Sequence, residues 1–190
     1  MTENRRSPTK ALFESLARLY KQGQLLLLDS DRLMGERGWE CMHTTAPAEL
    51  SNSLNSPERW YARWACRFYR PKEKAKTSEL LFISIHFASD HDTDVDEPVA
   101  SAGRLQYDEL MSKETAESSY DYWMCKSCFF GERHDTLQDW QCWDEPGYIK
   151  NLKCIETFRV PLYTITSSEK LKELVIDPLL AVQDKEKGVT

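Results

Sequence analysis

The chain has 190 residues, 41% of them hydrophobic, and a formal net charge of -6 at pH 7. This composition excludes a largely disordered chain, and the acidity argues against a protein whose whole surface holds nucleic acid phosphates. The length fits a single domain, 1–190, that needs neither disulfides nor metal for stability. No apolar run approaches the roughly 20 residues that span a bilayer, so we expect no membrane association and a cytoplasmic location.

The N-terminal segment, 1–43, is predicted to be a helical unit. Ser7 followed by Pro8 is typical of a helix N-cap and first turn, and leucines then recur at helical spacing. Gly23 is a candidate break, after which a second helix can run toward Gly38, a plausible C-cap glycine. The four consecutive leucines just beyond Gly23 are equally compatible with a short buried strand.

An antiparallel sheet is predicted over 58–166. Within 60–70, Trp, Ala, Cys and Phe alternate at period two with Arg, Tyr and Ala, which indicates a strand with two different faces. Strands at 80–87 and 99–107 should follow as antiparallel neighbours in a meander. Further strands are predicted at 120–130, around Trp140 and at 157–165.

The chain should close with a helix over 167–182 and a frayed tail over 183–190. Thr166 and Glu169 are spaced as a capping box, and Pro178 is expected to end or kink the helix. The predicted fold class is therefore α+β, with N-terminal helices, a mostly antiparallel sheet of about 5–6 strands and a C-terminal helix.

The main functional hypothesis concerns one face of the first predicted strand. Tyr61, Arg63, Arg67 and Tyr69 lie on it, and Arg104 on the third strand would extend it; we call these five residues the Arg/Tyr face. Guanidinium groups bind anions bidentately, and aromatic rings stack on planar groups. If the helices cover the tryptophan-rich side of the sheet, the Arg/Tyr face is left for solvent or a partner.

Trp, Tyr and Arg dominate interface hot spots, which favours a non-enzymatic binding or adaptor domain whose partner is a protein. Binding of a nucleotide or single-stranded nucleic acid on the same face is an alternative, although the net acidity counts against it. A solvated sheet face with stacked Arg and Tyr is the ordinary structural alternative. The sequence gives no indication of oligomeric state.

The cysteines provide a further alternative, a zinc-binding or enzymatic domain. Cys125 and Cys128 form a C-x-x-C pair, with His134, Cys142 and Cys154 downstream. Zinc takes four tetrahedral ligands, but no second matching pair follows, so buried thiols without any cofactor are the simpler interpretation. No nucleophile elbow or glycine-rich phosphate loop occurs, which leaves the histidines as the natural general bases to test: His43, His86, His91 and His134.

Overall fold

The computed structural model describes residues 7–42, 62, 64–87, 97–112, 141–144 and 151–181, with the backbone alone for 141–144. The fold is α+β, as predicted: an N-terminal helix, an antiparallel sheet and a C-terminal helix. The predicted strand at 120–130 and the tail at 183–190 lie outside these residues.

One continuous helix, α1, runs Pro8–Glu36 and includes the leucine run. Gly23 does not break it. A Cβ at this position would lie 2.7 Å from Cζ of Phe87, so the glycine allows an aromatic ring to pass directly over the helix. Gly38 lies just beyond the helix with a φ of 84°, which confirms the predicted C-cap glycine.

The described sheet has six strands: β1 Trp39–Cys41, β2 Trp64–Pro71, β3 Lys76–His86, β4 Val99–Ser112, β5 Gln141–Asp144 and β6 Leu152–Pro161. Their order is β1-β2-β3-β4-β6-β5, and every neighbouring pair is antiparallel. The predicted meander, now β2-β3-β4, is confirmed, and β5 is the strand expected near Trp140. β6 begins and ends earlier than predicted, and a 3-10 turn, Leu162–Thr164, follows it. The sequence did not indicate β1, which is only three residues long.

The C-terminal helix, α2, begins at Ser168, one residue later than a cap at Thr166 would predict. It consists of Ser168–Leu171, a π-helical turn Lys172–Ile176 and a last turn 177–181. The cap is Ser167 rather than Thr166, because the Ser167 hydroxyl accepts a hydrogen bond from the backbone N–H of Lys170 at 3.2 Å.

Pro178 does not end α2. The π-helical turn lies immediately before it, and there the backbone N–H of Asp177 donates to the carbonyl oxygen of Lys172. Proline has no N–H to donate, and a wider turn relieves the contact of its ring with the preceding turn. The helix therefore passes through the proline.

Both helices pack on the same side of the sheet. On this helix-side face the apolar residues of α1 and α2 meet strand residues that include Leu81, Ile83, Ile85, Phe158 and Val160. A second core lies on the opposite face and includes Trp64, Cys66, Phe68, Leu80, Phe82 and Leu105. No helix in the described part of the chain is long and apolar enough to cross a bilayer.

Gly103, in the middle of β4, is a position where we predict that alanine is poorly tolerated. An added Cβ would meet the backbone carbonyl oxygen of Glu156 and would lie 2.8 Å from the ring of Phe82. A carbonyl in a neighbouring strand cannot retreat without disturbing the hydrogen-bonded ladder. We expect Gly103→Ala to lower the free energy of unfolding, measured with urea, by about 3 kcal/mol.

Gly35 in α1 provides the matched control. An added Cβ there would lie 3.7 Å from Nζ of Lys72, which is an ordinary contact. Gly35→Ala should therefore raise the unfolding free energy by up to about 1 kcal/mol through helix propensity. Equal effects of the two substitutions would contradict the packing argument.

Candidate functional site

The structure places two residues of the Arg/Tyr face against α1. Nη2 of Arg67 lies 2.9 Å from Oδ2 of Asp31, and the Tyr69 hydroxyl donates to Oδ1 of Asp31 at 3.0 Å. Arg67 is 8% exposed and Tyr69 is 0% exposed. The expectation that this side of β2 is open is therefore wrong, because the helices cover it and Asp31 supplies the carboxylate that both side chains need.

Arg104 shares the helix-side face with Tyr69, as predicted, but Leu81 lies between them in the cross-strand register. Its Nε donates to the carboxylate of Glu156, and its Nη1 lies 3.8 Å from Oε1 of Glu79. Arg104 is buried. Two internal ion-pair clusters thus stand where one continuous open surface was expected.

Tyr61 and Arg63, the other members of the Arg/Tyr face, lie outside the described residues. At the three described positions no open Arg/Tyr surface is present. The ring of Tyr69 belongs to the helix-side core, so it is not available for stacking on a base or another planar group. Both macromolecular hypotheses assumed that these three side chains are exposed to a partner, and the structure shows that they are buried.

Burial raises the pKa of Tyr69 well above its ordinary value of 10, and the neighbouring Asp31 and Cys41 raise it further. The neutral hydroxyl is therefore the form that the fold stabilises. Because it donates to Asp31, the same carboxylate both orders the ring and opposes its ionisation.

A second carboxylate of α1 joins the two helices. The hydroxyl of Ser168, at the start of α2, donates to Oδ2 of Asp29. Farther along, Nη2 of Arg37 lies 3.2 Å from Oδ1 of Asp177 in an exposed pair. The buried end of α1 is thus fastened to both the sheet and α2.

The cysteine hypothesis is tested only in small part. Cys154 is buried, with its Sγ 3.2 Å from the side-chain amide of Gln106, while Cys125, Cys128 and His134 lie outside the described residues. In the backbone register Cys142 is opposite Glu156, two pairs away from Cys154, which is opposite Asp144. Among the side chains that the structure describes, no group of three His, Cys, Asp or Glu residues could hold a metal ion. The zinc site stays a prediction, which elemental analysis of protein purified without chelator would test.

A row of polar residues crosses the opposite face of the sheet, and sequence reasoning did not find it. The cross-strand pairs Cys66–Ser84, Ser84–Ser101 and Ser101–Arg159 place these residues side by side on β2, β3, β4 and β6. All four are buried. The sequence indicates this row only weakly. Ser84 interrupts an apolar strand, and Ser101 lies in a run of small residues.

The N-terminal end of α1 carries the most exposed apolar side chains of that helix. Leu12 and Phe13 are 68% and 66% exposed. Every buried residue of α1 lies at or beyond Gly23, although the apolar spacing begins much earlier. We call residues 8–19 the outer end of α1.

Comparison with known proteins finds no matching family model, no matching curated protein and no matching solved structure.

We predict that Asp31→Ala is strongly destabilising. It leaves the Arg67 guanidinium and the Tyr69 hydroxyl without their shared carboxylate beneath a helix, and removing one partner of a largely buried ion pair costs about 3 kcal/mol. Urea unfolding would measure the loss. Glu36→Ala, which breaks an exposed pair with Arg32 on the same helix, should cost less than about 1 kcal/mol. Similar losses in the two variants would show that Asp31 is not a special contact.

The raised pKa of Tyr69 predicts a loss of stability at alkaline pH. In the unfolded chain the hydroxyl ionises near pH 10, whereas the folded state keeps it protonated above that pH. The stability that the hydroxyl contributes is complete below about pH 10 and falls as pH rises further. In urea unfolding, the advantage of the wild type over Tyr69→Phe should shrink by up to about 1 kcal/mol between pH 9 and pH 11. An advantage that stays constant over this interval would contradict the assignment.

Proposed function

We propose that this protein is a non-enzymatic binding domain that docks to a partner protein through the outer end of α1. The single observation that carries the proposal is the exposure of Leu12 and Phe13, 68% and 66%, on a helix whose apolar spacing continues into the core. A protein partner was the leading expectation from composition. The surface proposed here differs from the Arg/Tyr face.

The geometry of α1 supports a helix that lies in a groove. Leu12, Leu16 and Leu19 are spaced i, i+4 and i+7, which places them along one side of the helix, and Phe13 widens the stripe. Such anchors are how amphipathic helices occupy apolar grooves. Burying Leu12 and Phe13 contributes roughly 1.5–3 kcal/mol for each side chain that becomes fully covered.

Contacts of Tyr20 fix the direction of the helix where its outer end stops. The Tyr20 hydroxyl donates to the carbonyl oxygen of Ala62 at 2.7 Å, and its ring meets the ring of Phe87 edge-on at 5.0 Å. From Pro8 to this point the helix is about 18 Å long. The outer end is therefore held in one direction by its packed continuation, so docking orders few additional backbone angles.

The charges around the stripe favour an acidic partner. Lys10, Arg18 and Lys21 are exposed, and Glu14 is the acidic residue among 8–22, in a chain whose net charge is -6. A local basic segment on an acidic protein gains most from a groove with carboxylates at its rim. We therefore assign the occupant as a different protein that presents an apolar groove with an acidic rim.

The test compares partners captured by variants of the full chain. A photo-crosslinking residue at Ser15 of the wild type should capture a defined protein, and Leu12→Glu with Phe13→Glu should reduce that capture at least tenfold, since two buried anchors are lost. Lys10→Glu with Arg18→Glu should weaken capture and reduce its dependence on salt.

Leu110→Glu is the matched control, because Leu110 is 65% exposed but lies on β4. Capture that survives in this variant and is lost in the α1 variant supports the proposal. Equal capture by all variants would overturn it. A cross-link only to a second copy of the chain would also overturn it, because the occupant would then be the protein itself.

A further inference from the structure

Four residues of the types that bind zinc lie on one face of the β5–β6 ladder. Cys142 on β5 is opposite Glu156 on β6, and Asp144 is opposite Cys154. Opposite residues of an antiparallel pair share a face, and so do residues two apart in one strand. The register therefore forms a rectangle of two cysteines and two acidic residues, to which each strand contributes one of each kind.

The dimensions of this rectangle suit one metal ion. Opposite positions have Cβ atoms about 4.5–5.5 Å apart, and diagonal positions are about 7–8 Å apart with their Cβ atoms somewhat closer. Zinc takes four ligands in a tetrahedron, with thiolate sulfurs at about 2.3 Å and carboxylate oxygens at about 2.0–2.2 Å. The two cysteines occupy one diagonal and the two acidic residues the other, so each kind of ligand approaches from opposite corners.

The contacts of Cys154 favour a thiolate. Its Sγ lies 3.2 Å from one end of the Gln106 side-chain amide. The hydrogen-bond network assigns the amide oxygen to the side of the Arg104 guanidinium, where it accepts from Nη1 and Nη2, each at 3.2 Å. This orientation leaves the N–H groups of the amide facing Sγ. A hydrogen-bond donor at a buried sulfur stabilises the thiolate, which is the form of cysteine that binds metal.

Arg104 also orients the carboxylate of Glu156. Its Nε donates to Oε2 of that carboxylate. Carboxylates that bind metals are themselves held by hydrogen bonds, and such outer partners strengthen metal binding by about 10–100-fold. Arg104 therefore positions Glu156 directly and Cys154 through Gln106.

The formal charge of this region favours a divalent cation. Two cross-strand rows run from β3 to β5: Glu79, Gln106, Cys154 and Asp144 in one, and Leu81, Arg104, Glu156 and Cys142 in the other. These rows hold three carboxylates and one guanidinium, which leaves an excess of two negative charges. A divalent cation between β5 and β6 balances that excess.

We propose that the β5–β6 ladder binds one zinc ion through a ligand set of Cys142, Asp144, Cys154 and Glu156. Two thiolates and two carboxylates complete a tetrahedral shell, and the thiol protons are released to solvent as the metal binds. The ion joins the four-residue strand β5 to its neighbour. This ligand set needs neither member of the C-x-x-C pair, and the site is independent of the outer end of α1.

The test uses the full chain, stripped of metal and titrated with zinc against a competing chelator, and with cobalt(II) as a spectroscopic substitute. Roughly one zinc ion should bind per chain, and cobalt should give a thiolate-to-cobalt charge-transfer band. Zinc should also raise the urea concentration at which the protein unfolds, because the ligands converge only in the folded register. If zinc does not bind, or if cobalt binds without the charge-transfer band, the proposal is wrong.

Substitutions on β5 separate the two kinds of ligand. Cys142→Ser should weaken zinc binding by about a hundredfold and roughly halve the charge-transfer intensity, because one of two thiolates is lost. Asp144→Asn should weaken zinc binding by about tenfold or more and leave that intensity unchanged, because both thiolates remain. An unchanged Kd for zinc in both variants contradicts the ligand set. If Cys142→Ser does not fold, Asp144→Asn alone decides the question.

Gln106→Leu tests the residue that positions Cys154. Zinc should bind about tenfold more weakly with an unchanged stoichiometry, because an outer hydrogen bond is lost and no ligand is. The charge-transfer band should move to lower energy, because a thiolate without its hydrogen bond gives up electrons more readily. A band at the wild-type position would show that the Gln106 amide does not donate to Sγ of Cys154.

Other cysteines of the chain provide the controls. Cys41 lies on β1, at the opposite end of the strand order, so Cys41→Ser should leave the Kd for zinc unchanged. The double variant Cys125→Ser with Cys128→Ser should also keep its zinc. If the double variant loses zinc, the C-x-x-C pair belongs to the metal site and the ligand set proposed for the β5–β6 ladder is wrong.

Discussion

The Asp31 carboxylate determines how the helices can lie on the sheet. It accepts a hydrogen bond from the Tyr69 hydroxyl and pairs with the Arg67 guanidinium, and both of these groups are buried beneath α1. Without that carboxylate, a positive charge and a hydroxyl beneath the helix would lose the partner that they share, at a cost of several kcal/mol. Asp29 lies two residues before Asp31 and accepts a hydrogen bond from the Ser168 hydroxyl at the start of α2. One short stretch of α1 therefore positions both helices on the helix-side face.

With the helices placed on that side, the opposite face of the sheet is left to form a separate core. β3 can serve both cores because it is apolar in both directions, with Leu81 and Ile83 toward the helices and Leu80 and Phe82 away from them. The buried polar row crosses this second core at the end of β3 where the apolar alternation stops, at Ser84 and His86.

The outer end of α1 depends on the same packing, although none of its own residues is fully buried. Short isolated helices are marginal in water, so the first turns rely on propagation from the part that is packed against the sheet beyond Tyr20. Gly23 lets the ring of Phe87 approach the helix at that point, and the ring also meets Tyr20. The result is a preformed helical segment with leucines and a phenylalanine on its surface. Preformed segments lose little entropy when they dock, which suits a role in binding.

The sequence by itself determined the features that depend on local periodicity and local backbone geometry. The α+β class, the meander of β2, β3 and β4, the C-terminal helix and the cap at Gly38 all follow from patterns within a few residues of one another. The sequence placed α2's cap at Thr166 instead of Ser167, whose side chain accepts the capping hydrogen bond. The helix passes Pro178 within its predicted range, 167–182, through a π-helical turn that the sequence did not indicate.

Only the tertiary structure decided which face of the sheet the helices cover and what the polar residues contact. The alternation in β2 separates Arg67 and Tyr69 from the tryptophan side, but it carries no information about Asp31, which is distant in the chain and supplies their partner. Likewise Ser84, Ser101 and Arg159 are unremarkable in their own strands and become a row only through strand register. The physical reason is common to both cases: a side chain's burial is favourable or costly according to its partner, and partners from distant segments meet only when the chain has folded.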